Sequence, residues 1–210
     1  LKTVDYLYNG EGGLSKAYLG YGLQFGDHFR LGANIEYLFG NLIQSRSTEY
    51  ADAGAINSRD QLKNSIYGLN YSYGTQYDFN LGNKKSLVLG YSGSSNAKLN
   101  VEKSRYVTIY HKDQQGNEQS AIDTLSATEN AKTKLKLPLV HNFGFTLQKE
   151  NKWLLGADYR MGKWSEMSID NTAQNLQDTY GFSVGGQFTP DLSAINGYFK
   201  RVDYRLGFSY

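Results

Sequence analysis

Between residues 65 and 81, every second position is large and mostly apolar: Tyr67, Leu69, Tyr71, Tyr73, Tyr77, Phe79 and Leu81, with Thr75 the one departure. The positions between them are Gly68, Asn70, Ser72, Gly74, Gln76, Asp78 and Asn80. A period of two sends successive side chains to opposite faces of a β-strand. The strand this predicts is long beside the usual length of about 5–6 residues. Its two faces also need different surroundings. A soluble sandwich would bury the aromatic face in a dry core, whereas a membrane barrel would turn it to lipid and enclose the polar face.

The alternation recurs along the chain. Val4, Tyr6 and Tyr8 form a short first strand, and residues 9–13 (Asn-Gly-Glu-Gly-Gly) read as a turn. Ala17, Leu19, Tyr21, Leu23 and Phe25 share the apolar face of a second strand, and Phe29, Leu31, Ala33, Ile35, Tyr37 and Phe39 that of a third. Residues 26–28 reverse the chain between them, and residues 45–61 read as a long polar loop. After the strand at 65–81 and a turn at 82–85, one strand runs irregularly to about Tyr110, where residues 112–117 form a hairpin tip. The return strand clears at Leu139, His141, Phe143, Phe145 and Leu147. Trp153 to Gly162, then Tyr180 to Phe188, then Val202 to Tyr210 complete nine up-and-down strands, with a turn at 149–152, a polar loop at 165–175 and a reversal at 189–197. Short turns thus alternate with long polar connections, the topology of an outer-membrane barrel; only the turn at 9–13 breaks the rule.

Mid-strand charges occupy the polar face. Arg30, Glu36, Asn70, Asp78, Asp158, Arg160, Asp203 and Arg205 are the expected lining of a water-filled lumen, where mixed charges pair and stay hydrated. Glycines 20, 22, 32, 68, 74, 144, 156, 181 and 207 fall on the same face, as suits a sheet that must curl inward. Trp153, Trp164, Tyr21, Tyr37, Tyr77 and Phe79 are candidates for interface girdles, with a sandwich core as their rival role.

Composition narrows the classes. The chain has 210 residues, with 22 Lys and Arg against 20 Asp and Glu, so no charge excess points to nucleic acid. Mean hydropathy is −0.56 and no apolar run reaches the ~18 residues of a membrane helix, which leaves a barrel open because its strands are half polar. There are 18 Tyr, 10 Phe and 23 Gly but only 2 Pro, a balance that suits strands, and no Cys for disulfide or thiolate chemistry. No basic-then-apolar leader opens the chain, so a secretion signal is expected upstream or removed.

The segments Gly12-Gly13-Leu14-Ser15-Lys16-Ala17-Tyr18-Leu19-Gly20 and Leu31-Gly32-Ala33-Asn34-Ile35-Glu36-Tyr37-Leu38-Phe39-Gly40 resemble bacterial outer-membrane proteins of the long-chain fatty-acid transporter (FadL/TodX-like) family. So do Asn151-Lys152-Trp153-Leu154-Leu155-Gly156-Ala157-Asp158-Tyr159 and Lys200-Arg201-Val202-Asp203-Tyr204-Arg205-Leu206-Gly207-Phe208. The resemblance implies a barrel of about fourteen strands with an N-terminal plug, moving hydrophobic molecules. Residues 1–210 would then be one partial barrel domain, the central piece of a larger protein, with the plug and outer strands lying elsewhere. The family's ligand-binding residues find no matching positions here.

Other chemistry is weaker. Gly181-Phe182-Ser183-Val184-Gly185 matches a nucleophile elbow, but inside an alternating strand with no helix behind it. His28, His111 and His141 lack metal-ligand spacing, and His111 with Asp113 reads better as a hairpin tip than as half of a hydrolase dyad. Gly10 to Gly13 lacks the context of a dinucleotide loop. Lys84, Lys85, Lys149 and Lys152 mark solvated turns.

The expectation is therefore an all-β, antiparallel, up-and-down transmembrane barrel in the cell outer membrane. It has no catalytic site, cofactor or metal, and passively moves small hydrophobic molecules. Its partners would be outer-membrane lipid and lipopolysaccharide, the solute, and other outer-membrane subunits, with no nucleic acid. The alternatives are a non-transporting scaffold or subunit of a larger surface complex, and a soluble ligand-binding barrel.

Overall fold

The computed structural model describes residues 4–52 and 54–210. It is an all-β, antiparallel sheet of twelve strands among those residues. In chain order these are β1 (Val4–Phe25), β2 (Phe29–Tyr50), β3 (Asn57–Asn80), β4 (Lys85–Ser94), β5 (Lys98–Tyr110), β6 (Asp123–Lys136), β7 (Val140–Lys149), β8 (Trp153–Gly162), β9 (Ser168–Ile169), β10 (Thr172–Ala173), β11 (Thr179–Phe188) and β12 (Tyr204–Ser209). Two single-turn 3-10 helices, Trp164–Glu166 and Tyr198–Arg201, sit in connections. No helix is long and apolar enough to cross a membrane, which says nothing of strands.

Two tiers share one sheet. β1, β2 and β3 have 22, 22 and 24 residues, which at about 3.3 Å per residue makes them roughly 70–80 Å long. An apolar barrel band needs only ~25 Å. The half of β3 nearer its C-terminus pairs with β4, whose neighbours run on through β7, β8, β11 and β12. The other half pairs with β5, which pairs with β6. The lower tier is thus eight strands wide and the upper tier five, with β9 and β10 as a small hairpin beside β6. β1 pairs only with β2 and β12 only with β11, so the sheet is not closed among the described residues.

The tiers meet along a line of irregular backbone. Gly12 (φ 102°), Gly40 (φ 156°) and Gly68 (φ 157°) lie there on β1, β2 and β3, level with the breaks between β4 and β5 and between β6 and β7. A Cβ at Gly12 would strike the carbonyl oxygen of Asn41, and one at Gly40 that of Gly13. Only glycine lets the two backbones come so close.

This corrects the sequence reading in two places. Residues 9–13 do not turn: they continue β1, paired with β2 from Asn9↔Ser45 to Gly13↔Asn41. The first two of the nine expected strands therefore merge into one. Residues 45–61 are not a loop either, since 45–50 and 57–61 are ladder. Glycine and asparagine were there for a close crossing between strands, and the polar residues for a sheet that carries polar side chains on both faces. The short turns at 26–28, 82–84 and 150–152 do form, with Gly26, Gly82, Asn83, Lys84 and Asn151 at positive φ.

The lower tier is inside out by the standard of a soluble protein. Leu19 is 78% exposed, Tyr21 74% and Leu206 86%, all on one face. Glu36 and Asn70, on the opposite face, are each 6% exposed. Among the described residues the buried apolar side chains are few: Ile66, Leu99, Val101, Tyr110 and Leu135, of which Leu99 and Tyr110 are fully buried. So small a dry core cannot hold a chain of this length, and the backbone ladders carry the fold.

Candidate functional site

The polar face of the lower tier forms a trough of about 1150 Å³, lined by residues of β1, β2, β3, β4, β7 and β8. Glu36 is its hub. Its carboxylate accepts hydrogen bonds from Asn70 Nδ2 (2.9 Å), Ser72 Oγ (2.8 Å) and Lys16 Nζ (3.2 Å). Asn70 Oδ1 in turn accepts from Ser95 Oγ (3.0 Å), and Ser72 Oγ from Asn34 Nδ2 (3.0 Å). Apart from Ser95, which follows the last residue of β4, each of these residues is reached by stepping two positions along a strand or crossing a rung of the ladder, which is how a period of two builds a site. Gly20 and Gly144 leave room for neighbours: a Cβ there would overlap the side chains of Asn34 and Asp158.

Of the residues expected to line a lumen, Arg30, Glu36 and Asp158 line the trough, and Asn70 joins it through Glu36. Arg160 donates from Nε to Asn142 Oδ1 (3.1 Å), and Asn142 lines the trough. Asp78 stands at the turn end, its carbonyl 2.8 Å from His28 Nδ1. Asp203 and Arg205 form a separate pair at 3.2 Å, with Thr189 donating to Asp203 at 2.7 Å and Arg205 to Gln187 at 2.8 Å. The sequence reading passed over Lys16, Asn34, Ser72 and Asn142, although all four sit in the polar register.

Above Glu36 the same face turns apolar. Ile66, Leu99, Val101 and Leu135 are buried together, with Leu38, Leu42, Leu137 and Met167 packed on them. The cluster continues the trough's face along β2 and β3, starting at Leu38, two residues beyond Glu36.

A second polar network ties the upper tier together on the other face. Glu49 accepts from Tyr110 Oη (2.6 Å) and from Lys112 Nζ. Arg59 binds Glu118 through two nitrogens (2.8 and 2.6 Å), donates to Ser47 (3.1 Å) and lies 4.8 Å from the Tyr110 ring centroid. On the inner face, since Asp60 follows Arg59 on β3, Arg105 grips Asp60 by two contacts of 2.8 and 2.6 Å. Burial disfavours the Glu49 charge, but the Lys112 and Tyr110 hydrogen bonds outweigh it and hold the carboxyl below its usual range. Arg105 does the same for Asp60, against a smaller cost of burial.

Carboxyls lowered by folding add stability above their unfolded values, near pH 4, and lose it as pH falls through the folded ones. Acidification below about pH 4 is therefore expected to loosen the upper tier. Hydrogen exchange over 57–66 and 98–110 against 141–149 measures this. Glu49→Gln should flatten that pH dependence and cost about 1–3 kcal/mol at neutral pH.

The remaining motifs find plain roles. Ser183 lies in mid-strand, opposite Asp158 and Ser209, with no helix following. His111 Nδ1 meets the Ala55 carbonyl at 2.9 Å, and His141 Nδ1 meets Tyr91 Oη at 2.9 Å. Asp113 is occupied by its own turn, accepting from the amides of Gln115 (2.9 Å) and Asn117 (2.8 Å). Among the described residues no group of three or more His, Asp or Glu is placed to hold a metal ion.

A family model described as BamG matches residues 1–210. No curated protein matches. Among solved structures the chain is similar to the RagAB peptide transporter, at 14% identity and a TM-score of 0.49, over 97% of this chain and 23% of that one. It is equally similar to the RagAB peptide importer in its closed-closed and open-open states, over 22% of those chains. The chain spans less than a quarter of the length of these structures. The family match overturns the resemblance to fatty-acid transporters. The segments that carried it are glycine-punctuated strands with one apolar and one polar face, which any such sheet requires, so they specify a face and not a family.

Proposed function

The chain belongs to the BamG family, an outer-membrane-associated, BAM-related group, and from that premise we propose that it is a non-catalytic scaffold subunit of a larger outer-membrane complex. Its lower tier sits in the bilayer. The exposed rings and aliphatic side chains there meet acyl chains, because that much contiguous apolar surface needs an apolar covering. The upper tier rises on the side of the long connections and presents the hairpin around 111–122 to other subunits. The single observation that carries this reading is that the polar face gives way beyond Glu36 to the dry cluster of Ile66, Leu99, Val101 and Leu135. A water path needs polar or open cross-sections throughout, and four packed apolar side chains oppose one. The rigid ion-pair network of the upper tier supports the same role, since it holds a surface in a fixed shape for a partner.

The channel reading keeps one observation in its favour, the charged trough of about 1150 Å³. In that reading Arg30, Glu36, Asn70, Asp78, Asp158, Arg160, Asp203 and Arg205 line a passive route for small solutes. One pair of measurements separates the two. Replacing residues 113–117 with a short Gly-Ser turn should abolish co-purification with the BAM-related complex from outer membranes. Wild-type protein in liposomes should pass no more solute than protein-free vesicles. Solute flux that falls on Arg30→Ala or Asp158→Asn, with complex retention untouched by the tip replacement, would reverse the assignment.

A further inference from the structure

The outward face changes character just above its last aromatic row. There Tyr37, Tyr67 and Tyr71 border a notch of about 620 Å³ that also takes in Lys98 and Asn100, at the break between β4 and β5. Lys98 stands opposite Lys136, Asn100 opposite Lys134, and Glu102 opposite Lys132. Leu135 points to the buried cluster on the inner face, so Lys134 and Lys136 point outward, and Lys132 follows at the same two-residue step. Side-chain contacts agree: Lys134 Nζ donates to Asn100, and Tyr67 Oη donates to Glu102 at 3.2 Å. Lys63 on β3 lies in the outward register of Tyr67. Against these lysines stand Glu102 and Glu166, the latter 3.4 Å from Lys136 Nζ.

We propose that this lysine ladder and the tyrosine notch beside it bind the phosphorylated headgroup of an outer-leaflet glycolipid, with its acyl chains lying on the exposed apolar rows below. The proposal rests on the reading of those rows as lipid-facing. Height is the first reason: Lys134 is level with Tyr67 across β5, and Lys136 and Lys132 stand one two-residue step to either side, the level at which tyrosines settle between acyl chains and phosphates. Chemistry is the second, because ammonium groups at the membrane surface attract lipid phosphate and tyrosines settle at the same level. Lysines on an open strand edge also discourage pairing with other sheets. That role explains Lys132 and Lys134 on β6, but not Lys98 on β5 or Lys63 on β3, which are interior strands of the sheet.

The test uses the full chain in detergent micelles with bisphosphorylated lipid A as the probe, and native mass spectrometry to count retained lipid. The triple variant Lys132→Gln, Lys134→Gln, Lys136→Gln should bind about tenfold or more weakly. Arginine at the same three positions should restore binding. A variant of equal charge change at the opposite turns, Lys84→Gln, Lys85→Gln, Lys149→Gln, should bind like wild type. Equal loss in both glutamine variants, or none in either, overturns the site while leaving the lipid-facing reading in place. Full competition by inorganic phosphate at the same concentration overturns the lipid as the source of the phosphate. A chain that stays monodisperse without detergent overturns the lipid-facing reading itself, and the site with it.

Discussion

Phe145→Arg will cost about 2–4 kcal/mol of folding free energy in lipid vesicles, the depth-dependent price of a cation facing the bilayer interior. Phe145 sits in the lower tier between Leu89 and Ala157, on the outward face, and is 41% exposed. The paired control is Thr146→Arg on the trough face, opposite Val88 and Gly156 and one two-residue step from the Gly144–Asp158 rung; its cost should stay near or below about 1 kcal/mol. The comparison is sharp because a soluble protein predicts the reverse order. There, a half-exposed phenylalanine could become arginine with little effect. Equilibrium folding into vesicles, followed by tryptophan fluorescence, measures both changes. Equal costs at the two positions would remove the bilayer from the account of this fold.

The second large effect belongs to the seam between the tiers. Gly12→Val should destabilise by about 3 kcal/mol or more, since a β-branched residue at φ 102° is strained and its Cβ would collide with the Asn41 carbonyl. Here the collision is with backbone, so a side-chain rearrangement cannot relieve it. Gly13→Val is the control, because a Cβ at Gly13 meets nothing within 4 Å. Thermal midpoints should separate the two variants, with extra hydrogen exchange over 4–13 and 41–50 in the first alone. Matching midpoints would mean that the seam is not a close crossing of strands.

The two-faced strands were plain in the sequence because side-chain alternation is a local property of extended backbone. Glu36, Asn70 and Ser72 could be assigned to one face by counting, and their mutual hydrogen bonds follow once β2 and β3 pair in register. Residues 9–13 were misread because Asn-Gly-Glu-Gly-Gly supports either a reversal or a close crossing, and the choice rests with Asn41 and Leu42 on another strand. Residues 45–61 were misread for a related reason. Polar residues paired on a sheet with polar side chains on both faces carry no hydrophobic signature, so only the partner strand reveals them. The family was misread because its apparent markers were requirements of the face itself.

By itself the sequence determined the strand period, the short turns, and which face of each lower-tier strand is apolar, since each depends on neighbours one to four residues away. Tertiary structure alone decided that the apolar face is the exposed one, that β3 serves two tiers, and that Ile66, Leu99, Val101 and Leu135 meet above Glu36. Those outcomes depend on register between strands far apart in the chain, and register is a property of pairs that no single strand contains.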